Sequence, residues 1–165
     1  MKIRLATPAD APDMVHLINE IIAIGGSTAY ETPFDDEKMR DTYIAPTSLI
    51  SCHAAEQDGV VKGFQRLTWP DIGDDLPVQG WAVIASFVAG DAAGHGIGQH
   101  LFAATRNAAN QAGVKTIDAT IRADNVAGLR YYSGLGFVDY DRLVGIPLQD
   151  GTPVDRIRKR LDLQE

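Results

Sequence analysis

A chain of 165 residues with 45% hydrophobic and 22% charged residues has the make-up of a water-soluble protein, and its length suits one domain spanning residues 1–165. A net charge of -7, with Lys and Arg scattered, argues against a phosphate-tracking nucleic-acid surface, and no apolar run approaches a membrane span. Cys52 is the only cysteine, which excludes an intramolecular disulfide and a multi-cysteine zinc site; with no secretory-type segment in "MKIRLATPAD", the cytoplasm is the expected compartment.

Along the chain, "KIRLA" alternates as a first strand and stops at "TPAD", where Thr7 offers an N-cap, Pro8 a first helical position and Asp10 an acid for the first turn. A helix follows, with Met14, Leu17, Ile18 and Ile21 on one face. "GGSTAYETPF" breaks that pattern, and "DDEKMRDTYI" reads as a second, shorter helix. "SLISCHAAE" and "VVKGFQRLTW" are β-type segments joined through Asp58-Gly59, a hairpin signal. After the polar "PDIGDDLP" comes "VQGWAVIASFVA", an apolar run suited to a central strand buried on both faces.

The next stretch, "GDAAGHGIGQH", places Gly90, Gly94, Gly96 and Gly98 ahead of a helix in which Ile97, Leu101, Phe102, Ala108, Ala109 and Ala112 recur at helical spacing as far as Gly113. "KTIDATIRA" alternates as a strand, "NVAGLRYYSGL" reads as a short helix, and "GFVDYDRLVGI" with "PVDRIRKRLDL" closes the chain as a hairpin. Within that hairpin the alternating charges of "DRIRKRL" predict a solvated edge strand rather than a docking patch. The order β α α β β β α β α β β is that of an α/β domain with a mixed sheet.

The glycine-rich stretch fails two phosphate-binding fingerprints. G-x-G-x-x-G started at Gly94 ends on Gln99, and no Gly-Lys-Ser/Thr occurs for a P-loop. Two readings remain: a cradle for pyrophosphate, in which bare glycines expose first-turn N–H groups, or a turn whose glycines satisfy positive φ angles.

A second motif, "DNVAGLRYYSGLGF", lies one helix and one strand downstream. With Ala93-Gly94-His95-Gly96-Ile97-Gly98 matching R/Q-x-x-G-x-G/A, and Asn125, Tyr132 and Gly136-Phe137 matching the spacing of a later motif, the chain resembles the GNAT superfamily of N-acetyltransferases over essentially its whole length. Ala93 departs from the usual Arg or Gln, which removes one side-chain contact to a pyrophosphate. The resemblance implies a GNAT-like mixed, mostly antiparallel sheet of about seven strands flanked by about four helices. It also implies acetyl-CoA as co-substrate. The pyrophosphate would sit on the amides of Gly94, His95, Gly96, Ile97 and Gly98 with Gln99 in the first turn. The pantetheine arm would pair with backbone at Phe87 and Val88, Asn125 would contact that arm, and a backbone N–H near Val88 would stabilise the oxyanion.

By the same resemblance Tyr132 is the expected catalytic residue, a neutral phenol that protonates the leaving thiolate. Tyr131, about 100° around the helix, is expected to be structural. The general base stays open among Glu56, His53, Asp118 and Glu31, with a water relay as the alternative. His16, His95 and His100 read as surface residues, and Cys52 as a buried small apolar one.

Within the superfamily the chain is similar to the phosphinothricin N-acetyltransferase group in "IRLATPADAPDMVHLINEII", in "STAYET" and in its C-terminal hairpin. "STAYET", with Tyr30 and Glu31, corresponds to that group's substrate loop. The group's acidic residue in the fourth strand is replaced here by an apolar one, near Val83. The implied acceptor is a small, amino-acid-like primary amine of the phosphinothricin or methionine sulfoximine type. An acyl-CoA-binding module without turnover is the alternative, and a flavin or nucleotide enzyme a third. The C-terminal strands are candidates for pairing in a homodimer.

Overall fold

The computed structural model describes residues 1–77, 79–92 and 94–163. The first strand, β1 (Lys2–Leu5), ends at a 3-10 turn, Pro8–Asp10, that precedes helix α1 (Ala11–Ile24). The predicted cap works differently from expectation, because the Asp10 carboxylate takes the Thr7 N–H at 2.7 Å and grips the Arg4 guanidinium at 2.8 Å. These bonds tighten the entry into a 3-10 turn. Helix α2 (Asp36–Met39) starts at Asp35, whose side chain accepts from the Lys38 N–H at 2.7 Å, and continues as a π turn, Arg40–Ile44.

Strands β2 (Leu49–Gln57) and β3 (Val60–Thr68) form the hairpin predicted at Asp58-Gly59, where both residues hold positive φ. Strand β4 (Trp81–Val88), helix α3 (Ile97–Gln111), strand β5 (Thr116–Arg122), helix α4 (Val126–Gly134) and strands β6 (Val138–Pro147) and β7 (Pro153–Asp162) complete the chain. All seven strands share one sheet in the order β1-β2-β3-β4-β5-β7-β6, antiparallel except for the β4–β5 pair. The α/β fold with its mostly antiparallel sheet of seven strands is the one expected.

One prediction is overturned. "DRIRKRL" belongs to β7, which lies between β5 and β6 rather than at an edge, and its Arg158 and Lys159 are each 5% exposed. Alternating charge predicts a wet face, whereas β7 is covered on both faces at its centre, Ile157, Arg158 and Lys159. Lys159 reaches Ser133 on α4 at 2.9 Å and also pairs with Asp139.

Two apolar clusters hold the sheet. One joins α1 and the α2 region to β2 and β3 through Met14, Ile18, Met39, Tyr43 and Phe64; the other packs α3 and α4 on β4 and β5 through Phe102, Ile117 and Phe137. Gly63 is where α3 meets β3, since a Cβ there would stand 3.0 Å from the Ile97 side chain. No helix among the described residues is long and apolar enough to cross a membrane.

Candidate active site

The sheet opens at one junction. β4 pairs with β3 from Val83 to Val88, yet with β5 only at Trp81↔Thr116, Ala82↔Ile117 and Val83↔Asp118. From Ile84 onward the two parallel strands part, and a cavity of about 460 Å³ occupies the gap. It reaches from Tyr132 on the α4 side to Thr28, Ala85, Asp118, Arg122 and Arg158 on the other side of the sheet. Side chains of a strand alternate between faces, so Val83, Ala85 and Phe87 share the second face with Asp118, Thr120 and Arg122.

The glycine-rich segment follows β4 directly. The Ala89 N–H still bonds the Lys62 carbonyl at 2.8 Å, a 3-10 turn covers Gly90–Ala92, and Gly94 and Gly96 hold φ of 83° and 75°. Gly96 is the N-cap residue of α3. The departure at Ala93 lies outside the described residues. Gly98 has another reason to be glycine: an added Cβ would stand 2.5 Å from the Tyr131 ring. The positive-φ reading holds at Gly94 and Gly96, whereas Gly98 is required by the close approach of the Tyr131 ring, a reason neither reading contained. Gly94, His95 and Gln99 are exposed and Ile97 is buried, and the first turn of α3 presents N–H groups that an α-helix leaves without intrahelical acceptors, a seat for an anion.

Tyr132 is 6% exposed, with its phenol oxygen 2.8 Å from Ser86 Oγ. The amide of the fully buried Gln65 donates to Ser86 Oγ at 2.8 Å and to Tyr131 Oη at 3.0 Å, and the Tyr131 hydroxyl donates to the Gly98 carbonyl at 2.7 Å. Ser86 Oγ accepts from Gln65, and either hydroxyl of the Ser86–Tyr132 pair can donate to the other; when Ser86 donates, the Tyr132 proton is left for a group in the cavity. Burial pushes the Tyr132 phenol well above its ordinary range, so it is neutral at physiological pH. Tyr131, pushed up to about 12 by burial, is the strut that ties α4 to the first turn of α3.

Asn125 caps α4, accepting from the Gly128 N–H at 2.9 Å, and donates to the Ser27 carbonyl at 2.8 Å. It joins the helix to the loop after α1. In that loop Tyr30 lines the cavity, accepts from the Tyr43 hydroxyl at 2.9 Å and packs 4.9 Å from the Phe34 ring. Phe87 stacks in the same aromatic group, 5.4 Å from Phe64. Glu31 stands outside the cavity lining, where its carboxylate accepts the Gln149 N–H at 3.0 Å. His53 and Glu56 sit on β2, away from the cavity; burial lowers the His53 pKa, and Glu56 pairs with Arg4 at 3.1 Å. Among the base candidates, Asp118 alone lines the cavity.

Sequence reading missed the arginines. Arg66, Arg122, Arg156 and Arg158 all line the cavity on the face that carries Asp118. Arg122 is held by Asp124 at 2.8 Å and by the Thr28 carbonyl, and Arg66 lies 4.4 Å over the Tyr43 ring while donating to the Thr42 carbonyl. The Arg66 Nε is buried without a hydrogen-bond partner among the described residues, and the Arg158 Nε has only the Asp118 carboxylate near it, at 3.4 Å. Unmet guanidinium donors in a cavity favour an anionic ligand. The signal was present in the sequence as Arg at 156, 158 and 160, every second residue of one strand.

Comparison with known proteins gives the same architecture. The model of the acetyltransferase (GNAT) family matches residues 16–137. A search of curated proteins found no match. The solved structure of a ribosomal-protein-alanine N-acetyltransferase from Brucella melitensis superposes with a TM-score of 0.81 at 25% identity, over 99% of this chain and 100% of that one. A GNAT superfamily phosphinothricin acetyltransferase from Sinorhizobium meliloti, solved in complex with acetyl-CoA, gives 0.84 at 19% identity over 99% and 89%. An N-acetyltransferase from Staphylococcus aureus Mu50 gives 0.83 at 20% identity over 99% and 98%.

Proposed function

The chain belongs to the acetyltransferase (GNAT) family, and from that premise we propose that it moves the acetyl group of acetyl-CoA to the primary amine of a small, amino-acid-like acceptor, of the phosphinothricin or methionine sulfoximine type, in one ternary complex. The observation that carries the acceptor class is the arginine-lined face of the cavity: a carboxylate or phosphinate answers Arg66, Arg156 and Arg158, while the amine turns toward the β4–β5 gap.

Acetyl-CoA enters from the other side. Its pyrophosphate takes the amides from Gly94 to Gly98 with Gln99 beside them, and its pantetheine arm runs along Phe87 and Val88, beyond the last β4 residue that β5 pairs with. The carbonyl then lies in the gap, near the Val88 N–H as oxyanion donor, and Tyr132 gives its proton to the departing sulfur. Asn125 fixes the helix that carries Tyr132 and holds the loop containing Tyr30, so cofactor and acceptor share one boundary. Glu31 acts in acceptor binding through the loop it anchors to Gln149.

Residues 1–165 act as one catalytic domain, and the cytoplasm is where it works. A homodimer would form through the outer strand β6. The test is release of free CoA thiol from acetyl-CoA with phosphinothricin, methionine sulfoximine, neutral amino-acid amides and polyamines. Turnover with the acidic acceptors, reduced at least tenfold in kcat/KM by Arg156→Ala, is expected. Turnover confined to polyamines overturns the acceptor class.

A further inference from the structure

Asp118 is the carboxylate at which β4 and β5 separate. It lies opposite Val83, the last residue of β4 that β5 pairs with, and points to the face on which the acceptor is proposed to bind. It is 1% exposed, yet it lines the cavity. The other two carboxylates in the lining, Asp74 and Asp75, stand on the loop between β3 and β4, and Asp74 is occupied in capping its own turn by accepting the Asp71 N–H at 2.7 Å.

From this placement we infer that Asp118 binds the acceptor's ammonium group and takes its proton, which makes it a catalytic residue of the acetyl transfer. The inference rests on the acetyltransferase reading above. The Asp118 carboxylate accepts from Tyr140 Oη at 2.5 Å and from Thr120 Oγ1 at 2.9 Å, and the Arg158 Nε stands at 3.4 Å. These donors hold the carboxylate in place, and two oxygens with about four acceptor directions leave room for an ammonium N–H. The titratable and charged groups around it are Tyr140 from β6, Arg158 and Asp118's own register partner Arg160 from β7 and, from the other face of the sheet, Tyr132 of α4, with Asp74 joined to Arg158 through its carbonyl at 2.8 Å. Burial raises the Asp118 pKa against the opposing pull of Tyr140, Thr120 and Arg158, which makes the carboxylate a stronger base than an exposed aspartate.

The step balances. The ammonium gives one proton to Asp118, and the freed nitrogen pair forms the C–N bond with the thioester carbonyl. The C–S bond then breaks, its electron pair goes to sulfur, and sulfur takes the Tyr132 proton. The nitrogen's second surplus proton restores the Tyr132 phenol through water, and Asp118 releases its own to solvent, so one proton is liberated per acetyl transferred. Acid and base stand on opposite faces of the sheet, with the thioester between them.

The test compares wild type, Asp118→Asn and Asp118→Glu with L-methionine sulfoximine as acceptor between pH 6 and 9. In the wild type kcat/KM stays level above the pKa of the carboxylate. Asp118→Asn is expected to fall about 10²-fold at pH 7 and then gain about tenfold per pH unit, because only the neutral amine reacts. Asp118→Glu keeps a level profile at a reduced rate. Equal pH slopes in all three overturn the inference, as does a loss in Asp118→Asn that is the same at every pH, the mark of a purely structural role.

A silent wild type would count against the acceptor reading, and a carboxyl 13C NMR titration with and without methylammonium then decides the Asp118 assignment without any acceptor. A resonance absent from Asp118→Asn that titrates above those of the exposed aspartates and moves down when methylammonium is added supports it; one that titrates at or below them, or is unmoved by methylammonium, overturns it.

Discussion

Removing one oxygen from Tyr132 separates proton delivery from packing. Tyr132→Phe keeps the ring contacts with Tyr131 and Phe137, at 4.9 and 5.2 Å, and deletes the phenol that Ser86 supports. Turnover is expected to fall about 10²-fold while the Kd for acetyl-CoA, measured by isothermal titration, stays unchanged. Equal turnover would remove Tyr132 from the mechanism. Cys52 carries a second prediction: burial pushes its thiol up to about 12, so almost no thiolate exists near neutrality and the native protein leaves a disulfide reagent unreacted, whereas the unfolded chain consumes one equivalent. That silence keeps a CoA-thiol assay free of background. Tyr132 was legible in the sequence through its spacing from Asn125 and Phe137. Ser86 and Gln65 were not, because their contact exists only once β3 and β4 settle into the register that places them side by side.

At the level of elements, α3 and α4 meet where Gly98 passes under the Tyr131 ring. Gly98→Ala forces one of them to move, since the new methyl would stand 2.5 Å from a ring carbon. Destabilisation of about 1–3 kcal/mol is expected in a urea unfolding curve, together with weaker acetyl-CoA binding as the first turn shifts. An alanine at Gly94 meets no neighbouring atom within 4 Å and strains only its own backbone at φ 83°, so it is the milder change. The seven strands and helices α1, α3 and α4 were readable from periodicity and turn residues, whereas the π turn that continues α2 and the 3-10 turns were not. The environment of β7 was not, because alternating charge ordinarily marks a wet face. Here Arg156 and Arg158 face a polar cavity and Lys159 finds Ser133 on α4. A residue pattern reports polarity and leaves open whether water, ligand or protein supplies the partner.

For the molecule as a whole, Arg4 clamps β1 to the start of α1 and to β2 through Asp10 and Glu56, at 2.8 and 3.1 Å. The Arg4 hydrogen bond is the main cause holding the Asp10 carboxyl below its usual range. A carboxylate whose folded pKa is depressed contributes stability above its unfolded pKa, near 3.9, and loses that contribution as pH falls toward the folded value. Thermal melts of wild type and Asp10→Asn should therefore differ most at pH 6–7 and converge on acidification below about pH 4. A difference that persists unchanged at pH 3 would show that Asp10 acts through packing. At this scale the sequence was least informative: the passage of β7 between β5 and β6 depends on long-range pairing that no local pattern encodes. The β4–β5 gap has a consequence for solubility. From Ile84 on, β4 and β5 offer each other unpaired edges inside the sheet, a template that elsewhere recruits a foreign chain. Here both edges border the cavity, and the side chains of Tyr132, Asp118 and the arginines that line it stand where a second strand would have to pair. Lining side chains guard this edge, in place of the surface charge or proline that protects an outer strand.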